Sequence, residues 1–198
     1  MTLYENKKIY IECGANNGID QSRSISLIDN PDYVGILIEP DPVVFSECVR
    51  NRNNGRTIFF NCALVSPSYK KKFVTLYKHK HWSLMNCLEG SVQQTNNPTN
   101  YSRSSIVVPA FTISEILDSL DISTVEHFYL DTEGYEVPIL EGLSSNLKIN
   151  HLEVEQHDDT DYEKEKNKII EICSLCNLKL IRTENPNDGR PKLHFSSC

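Results

Sequence analysis

The segment Ile9-Tyr10-Ile11-Glu12-Cys13-Gly14-Ala15-Asn16-Asn17-Gly18 reads as a buried strand that ends in a carboxylate and runs into a glycine turn. An open α/β sheet builds a ligand site of this form at the carboxyl end of its first strand. Gly14 lets the backbone turn sharply beside a ligand. Gly18 lets a following helix pack close to the strand. The spacing is Glu-x-Gly-x-x-x-Gly, not the Gly-x-Gly-x-x-Gly of dinucleotide binders. An acid before the turn repels a pyrophosphate and suits a ligand that carries an ammonium group. S-adenosylmethionine (SAM) carries an ammonium and a sulfonium.

A second strand reads from Tyr33 to Glu39, apolar, rich in β-branched residues and again closed by an acid. Pro40-Asp41-Pro42 follows, then a helical stretch from 43 to 53. Glu39 lies about 20 residues beyond the glycine loop, where a doubly wound fold places a carboxylate for ribose hydroxyls. A single strand-end glutamate is most often just solvated. Two of them flanking a glycine turn at this separation point to a ligand.

The chain has 198 residues, of which 39% are hydrophobic, enough for one well-buried domain over residues 1–198. A net charge of -7 argues against nonspecific nucleic-acid binding. No apolar run has the length of a membrane span, and no signal peptide precedes the first strand. Seven cysteines without a regular framework point to a reducing, cytoplasmic setting. Cys173-Ser174-Leu175-Cys176 has zinc or redox spacing but sits in a helical pattern without a second pair, so packing is the reading.

Strands alternate with helices, which predicts a mostly parallel sheet covered on both faces. Strands are expected near 8–13, 34–39, 57–62, 126–131, 150–156, 178–183 and 192–197, and helices near 19–29, 42–53, 112–120, 136–143 and 162–176. Thr112 and Glu115 form a capping box. Asn185-Pro186-Asn187-Asp188-Gly189 reads as the turn of a terminal hairpin, making the last strand antiparallel. Residues 66 to about 108 break the alternation and are expected to be an insertion over the ligand edge, with an extra strand at 72–78. The triplet Lys70-Lys71-Lys72 in it reads as a solvated tip.

Phe128-Tyr129-Leu130-Asp131-Thr132-Glu133-Gly134-Tyr135-Glu136 delivers two more acids to the same sheet edge. Asp131 or Glu133 could deprotonate a substrate hydroxyl, unless one of them merely caps the next helix. In the strand His151–His157, alternation sends Glu155 and His157 to the cleft mouth. A histidine there near its ordinary pKa is a candidate general base. Asp131, Glu133, Glu155 and His157 could also gather a hard divalent ion, but no tight ligand spacing enforces it, so the expectation is no metal.

The segments Ile11–Gly18, Ile38–Pro42, Asn61-Cys62-Ala63-Leu64 and Leu130–Glu136, with Leu140-Glu141-Gly142-Leu143 after them, resemble the FkbM family of SAM-dependent methyltransferases, in order along nearly the whole chain. The resemblance implies a Rossmann-like class I methyltransferase fold with a seven-stranded sheet. It also implies methyl transfer to oxygen, often a sugar hydroxyl. Carried over by position, Glu12, Gly14 and Asn16, in a loop with Ala15 and Gly18, would surround the methionine part of SAM. Glu39 and Pro40 would hold the ribose, Asp41 would lie near the adenosine, and Asn61 with Cys62 would border the adenine. Asp131 would sit beside the methyl group. The family usually has Asp where this chain has Glu12, which keeps the charge and lengthens the reach. On this reading His81, Trp82, Ser83 and Glu155 contact the acceptor, with Trp82 and Tyr101 offering faces for a sugar to stack on. The rival readings are a nucleotide-cofactor oxidoreductase, disfavoured by the glycine spacing, and a binding module without turnover.

Overall fold

The computed structural model describes residues 4, 6–157, 161–185 and 190–198. In chain order the strands are β1 (Lys8–Cys13), β2 (Tyr33–Ile38), β3 (Thr57–Phe60), β4 (Ala63–Leu64), β5 (Phe73–His79), β6 (Cys87–Leu88), β7 (Tyr101–Phe111), β8 (Thr124–Leu130), β9 (Lys148–Glu155), β10 (Leu178–Glu184) and β11 (Lys192–Ser197). The helices are α1 (Pro42–Arg52), α2 (Val92–Asn96), α3 (Ile113–Ser119), α4 (Glu136–Leu140) and α5 (Tyr162–Leu175).

Seven strands form one sheet in the order β10-β11-β9-β8-β1-β2-β3. All pairs are parallel except those of β11, which runs antiparallel to both β9 and β10. The hairpin is therefore as expected, while its turn at 186–189 lies outside the described residues. Helices pack on both faces. Ile9, Ile11 and Cys13 of β1 share a core with Ile116 of α3, Ile139 of α4 and Ile169 of α5. Tyr10 of β1 points the other way, onto Leu37 of β2 and Cys48 of α1. Double coverage explains why β1 and β2 read as continuous apolar runs. Strand β1 sits between β2 and β8, and the chain leaves it in opposite directions, so its carboxyl end is the switch point of the sheet. The capping box forms as read, with Thr112 accepting from Glu115 N–H and Glu115 accepting from Thr112 N–H.

The helix expected over 19–29 does not form; one 3-10 turn at Ile25–Leu27 takes its place. Asn17 uses its side chain to accept from the N–H groups of Ile19 and Asp20, a local alternative to helix. Glu12 then pulls the chain in, accepting from Arg23 N–H at 2.7 Å and from the hydroxyls of Ser22 and Ser24. Arg52, fully buried on α1, donates to Gly18 O at 2.9 Å and to Ser24 Oγ at 2.8 Å, and lies 3.7 Å from Glu12. Gly18 accordingly serves α1 and not a helix of its own: at φ +79°, an added Cβ would meet Arg52 Cγ at 2.5 Å. Helix α4 is also shorter than read, ending at Leu140.

Within 66–108 the extra strand is β5, and β4, β7, β5 and β6 make a second, four-stranded sheet. Lys70, Lys71 and Lys72 are exposed ahead of it, as expected of a solvated tip. Among the described residues, no helix is long and apolar enough to cross a membrane.

Removing one partner of a buried ion pair costs about 3–5 kcal/mol, because the other charge stays buried. Arg52→Met is expected to lose stability on that scale in urea unfolding. Glu12→Gln added to it should recover part of the loss, and strict additivity in this double-mutant cycle would refute the coupling.

Candidate functional site

A cleft of about 680 Å3, counting its open mouth, lies at the carboxyl ends of β1, β2 and β8. Backbone contacts stitch those three ends together. Gly14 N–H and Ala15 N–H both donate to Ile38 O at 3.1 Å, and Asp131 N–H donates to Cys13 O at 3.2 Å. Gly14 has φ +80°, and a Cβ there would lie 1.8 Å from Asp131 O. No side chain fits, so glycine is obligatory at this crossing.

Gly14, Asn16, Glu39, Pro40 and Cys62 all line the cleft, as does Ser83. Glu39 is 6% exposed and accepts from Asn16 N–H at 2.9 Å and Asp41 N–H at 2.8 Å. Burial outweighs those two bonds and pushes its carboxyl up to about 7. Asp131 lines the cleft too, while Glu12, Ala15, Gly18, Asp41 and Asn61 lie behind the lining. Glu12 is turned to Arg23 and Arg52, because strand alternation puts it on the Tyr10 face. Ala15 is buried against Tyr10's cluster, and Gly18 against α1. Asp41 caps α1 at Val43 N–H, lies 2.9 Å from Lys78 Nζ and accepts from Asn86 Nδ2, so it ties the second sheet to the end of β2. Asn61 donates to the carbonyls of Glu39 and Pro40 and so shapes the cleft wall from outside.

The expectation that His157 reaches the mouth is corrected. Strand β9 stops at Glu155, so alternation no longer governs His157, and Gln93 Nε2 pins its carbonyl at 3.1 Å. The ring is fully buried. Its Nε2 is 3.0 Å from Asp131 Oδ1, 3.7 Å from Glu136 Oε1 and 4.0 Å from Glu155 Oε1, and its Nδ1 is 3.6 Å from Glu133 Oε2. Burial alone would lower its pKa, but these carboxylates raise it well above the ordinary value. The ring thus lies under the cleft among carboxylates and away from the mouth. Asp131 lines the cleft with its side chain 32% exposed. Burial works to raise its pKa, but the His157 bond and charge, then Arg190 and Arg23, bring it below the ordinary value. Glu133 also lines the cleft, and burial pushes it up to about 7 against the pull of His157. Glu155 is drawn into the network, 3.5 Å from Arg23, 3.6 Å from Arg190 and 3.7 Å from Lys192.

Sequence reading missed Arg190, which lies 3.1 Å from Glu133, and Glu136, whose Oε1 accepts from Thr132 N–H at 2.7 Å. A glutamate in the first turn of a helix carries no signal of such a role. On the rim, Trp82 is 64% exposed and stacks flat on His79 at 5.5 Å, with the exposed His81 beside it. Tyr101 is buried and meets His79 edge-on, so its face is not open to a ligand. Cys13, Cys62 and Cys87 line the cleft as free thiols, and burial pushes Cys62 up to about 12. Cys173 is buried in the α5 core, in keeping with packing.

The family profile described as "Methyltransferase FkbM domain" matches residues 12–179. No curated protein matches the sequence. Among solved structures the chain is similar to methyltransferase FkbM from Methylobacillus flagellatus KT, with 17% identity and a TM-score of 0.57 over 96% of this chain and 44% of that one. This chain thus spans less than half the length of that relative. It is also similar to magnesium protoporphyrin IX methyltransferase from Synechocystis PCC 6803 with bound SAM (10% identity, TM-score 0.51, covering 97% and 71%). A third likeness is to Aeropyrum pernix fibrillarin with natively bound SAM (9% identity, TM-score 0.52, covering 98% and 68%). At these identities the likeness is one of fold.

Gly14→Ala is expected to cost more than about 1 kcal/mol in thermal or urea unfolding, the scale for alanine forced to positive φ, with the clash on Asp131 O added. Gly55 has φ +75° with nothing within 4 Å of an added Cβ, and so serves as the control for positive φ alone. Equal losses at the two positions would remove the close approach from the account.

Proposed function

This chain belongs to the FkbM methyltransferase family, and from that premise we propose that it is a SAM-dependent O-methyltransferase acting on a hydroxyl of a sugar or glycan. One observation carries the reading. Among the described residues, the cleft lining holds the carboxylates Glu39, Asp131 and Glu133 and no Lys, Arg or His. Such a lining suits a cationic donor and repels a pyrophosphate, which counts against a nucleotide-cofactor oxidoreductase. Ile38, Leu64, Leu76 and Leu88 give the lining an apolar part that suits a base.

When bound, SAM supplies an electrophilic methyl group on a sulfonium. Gly14 and Asn16 would flank its methionine part and Glu39 its ribose hydroxyls, with Pro40 and Cys62 beside the adenosine. The chain's work is then to place and deprotonate the acceptor oxygen. Asp131 would orient the hydroxyl and take its proton late. As the new C–O bond forms, that oxygen becomes strongly acidic, so a carboxylate of low pKa suffices. The sugar class is supported by the family resemblance and by an exposed indole, Trp82, next in sequence to the lining residue Ser83.

Calorimetry is expected to show SAM binding and no NAD binding. Losing a charge-assisted hydrogen bond costs about 1.5–3 kcal/mol, so Glu39→Ala should weaken SAM roughly tenfold to a hundredfold. Hydrogen bonds donated to Glu39 favour its ionised form and lower its pKa from about 7 on binding. SAM affinity should therefore rise from about pH 6 to about pH 8, and the rise should shrink in Glu39→Ala. Unchanged affinity in a folded Glu39→Ala variant overturns the ribose assignment.

With an acceptor found on a glycan panel, Asp131→Asn should keep SAM binding and lose about a hundredfold or more in turnover. Full activity in that variant would remove Asp131 from the chemistry.

A further inference from the structure

Three side chains from three elements converge below the cleft floor. Asp131 follows β8, Glu136 opens α4, and His157 lies just past β9. One ligand atom from each falls within 4.8 Å of the other two. Metal bonds of about 2.0–2.2 Å at right or tetrahedral angles set neighbouring ligand atoms about 2.8–3.6 Å apart. The spacing of His157 Nε2 to Asp131 Oδ1, 3.0 Å, falls in that range, and that to Glu136 Oε1, 3.7 Å, borders it.

A second observation is independent of this spacing. Glu136 Oε2, Glu133 Oε2 and His157 Nδ1 are buried without a hydrogen-bond partner, on side chains that are 5% exposed or less. Folded proteins leave few such atoms, and each is costly. The ion pairs of Arg190 and Lys192 at this end go to Glu133 and Glu155.

We propose that Asp131, Glu136 and His157 hold a divalent cation at the closed end of the cleft, bound through one carboxylate of each acid and His157 Nε2. Two oxygens and one imidazole nitrogen are a mixed set that suits a manganese-type ion better than magnesium, which prefers oxygen alone. Glu136 Oε1, from which the 3.7 Å spacing is measured, already accepts from Thr132 N–H, so the ion would engage the same carboxylate through Oε2, which has no partner. Binding would release the His157 Nε2 proton to solvent, as ligation by a histidine requires, and leave Nδ1–H pointing at Glu133 Oε2, 3.6 Å away. A ligating histidine ordinarily donates its other N–H to a carboxylate in this way. Three protein ligands leave coordination positions free, and Asp131 faces the cleft, so the open side meets the acceptor. In that place the ion would bind the acceptor hydroxyl and make it easier to deprotonate, a role that rests on the methyl-transfer reading. Asp131 has two oxygens and can serve the ion with one and the acceptor with the other.

The test uses the whole chain, stripped with EDTA and titrated with Mn2+ alone, without SAM. Loss of the free Mn2+ electron paramagnetic resonance signal is expected to show one saturable ion per chain. In the 15N-labelled wild-type protein, the amides of Thr132, Gly134 and Glu136 should broaden first and that of Leu180 last. Glu136→Gln and Asp131→Asn, checked for folding by circular dichroism, should each weaken uptake at least about tenfold, the low end for groups that merely support a metal ligand. Glu126→Gln, toward the amino end of β8 and paired with Lys8 and Asn150, should not. The proposal is overturned by no saturable uptake in the wild type, by broadening centred away from these residues, or by uptake that neither variant changes. Because SAM is absent, failure here leaves the methyl-transfer reading standing, and failure of SAM to bind leaves the cation site standing.

Discussion

Arg52 is wholly buried, and the carboxylate it faces, Glu12, stands near the carboxyl end of β1, the strand between β8 and β2. Two charges in such a place are tolerable only when their remaining valences are filled. Here the loop that follows the glycine turn fills all of them but Arg52 Nε, which has no hydrogen-bond partner. Gly18 O, Ser22 and Ser24 receive the guanidinium, and Arg23 N–H, Ser22 and Ser24 serve the carboxylate. The path of residues 14–24 is therefore dictated by an ion pair. One consequence is the missing helix over 19–29. On β8 and β9, His127 and His151 lie stacked 5.1 Å apart, with Tyr129 parallel to His127.

The cleft and the space behind it divide the charge between them. Acids line the cleft, while the cations that balance them, His157, Arg190 and Arg23, stand behind or beside them. The division produces opposite tuning in neighbouring carboxyls. Asp131 is held low by its hydrogen bond with His157 and by the cations around it; Glu39 is held near 7 because burial dominates and its donors are only backbone N–H groups. A carboxyl kept close to neutrality at rest responds most to a ligand that donates to it, whereas one already ionised is ready to orient a hydroxyl. One sheet edge thus provides both behaviours without any change of residue type.

The parts of the molecule legible in the sequence were those set by local pattern. The apolar runs ending in Glu12, Glu39 and Asp131 gave their strands, the Thr112–Glu115 spacing gave a capped helix, and the terminal hairpin gave the antiparallel strand. The direction of Glu12 was also within reach, since alternation places it with Tyr10 and away from Cys13. What was out of reach depended on contacts far apart in the chain. Arg52 meets Gly18 across 34 positions, Lys78 meets Asp41 across 37, and Arg190 meets Glu133 across 57. His157 was misplaced for a simpler reason: it lies two residues beyond the end of β9, where the strand's period has stopped.

Asp131 is where the two halves of this arrangement meet. Its N–H is held by Cys13 O, its carbonyl lies where a side chain at residue 14 would go, and its carboxylate is held by His157. The glycine of the loop and the acid of the neighbouring strand are thus one geometric requirement. The backbone can bring β1 and β8 this close only if residue 14 lacks a Cβ, and only that closeness sets Asp131 beside the loop proposed to cradle the methyl donor. The buried network beneath then fixes the charge of the same side chain. Position comes from a missing methyl group and ionisation from a buried histidine, and neither alone would make Asp131 a carboxylate that can act on a hydroxyl.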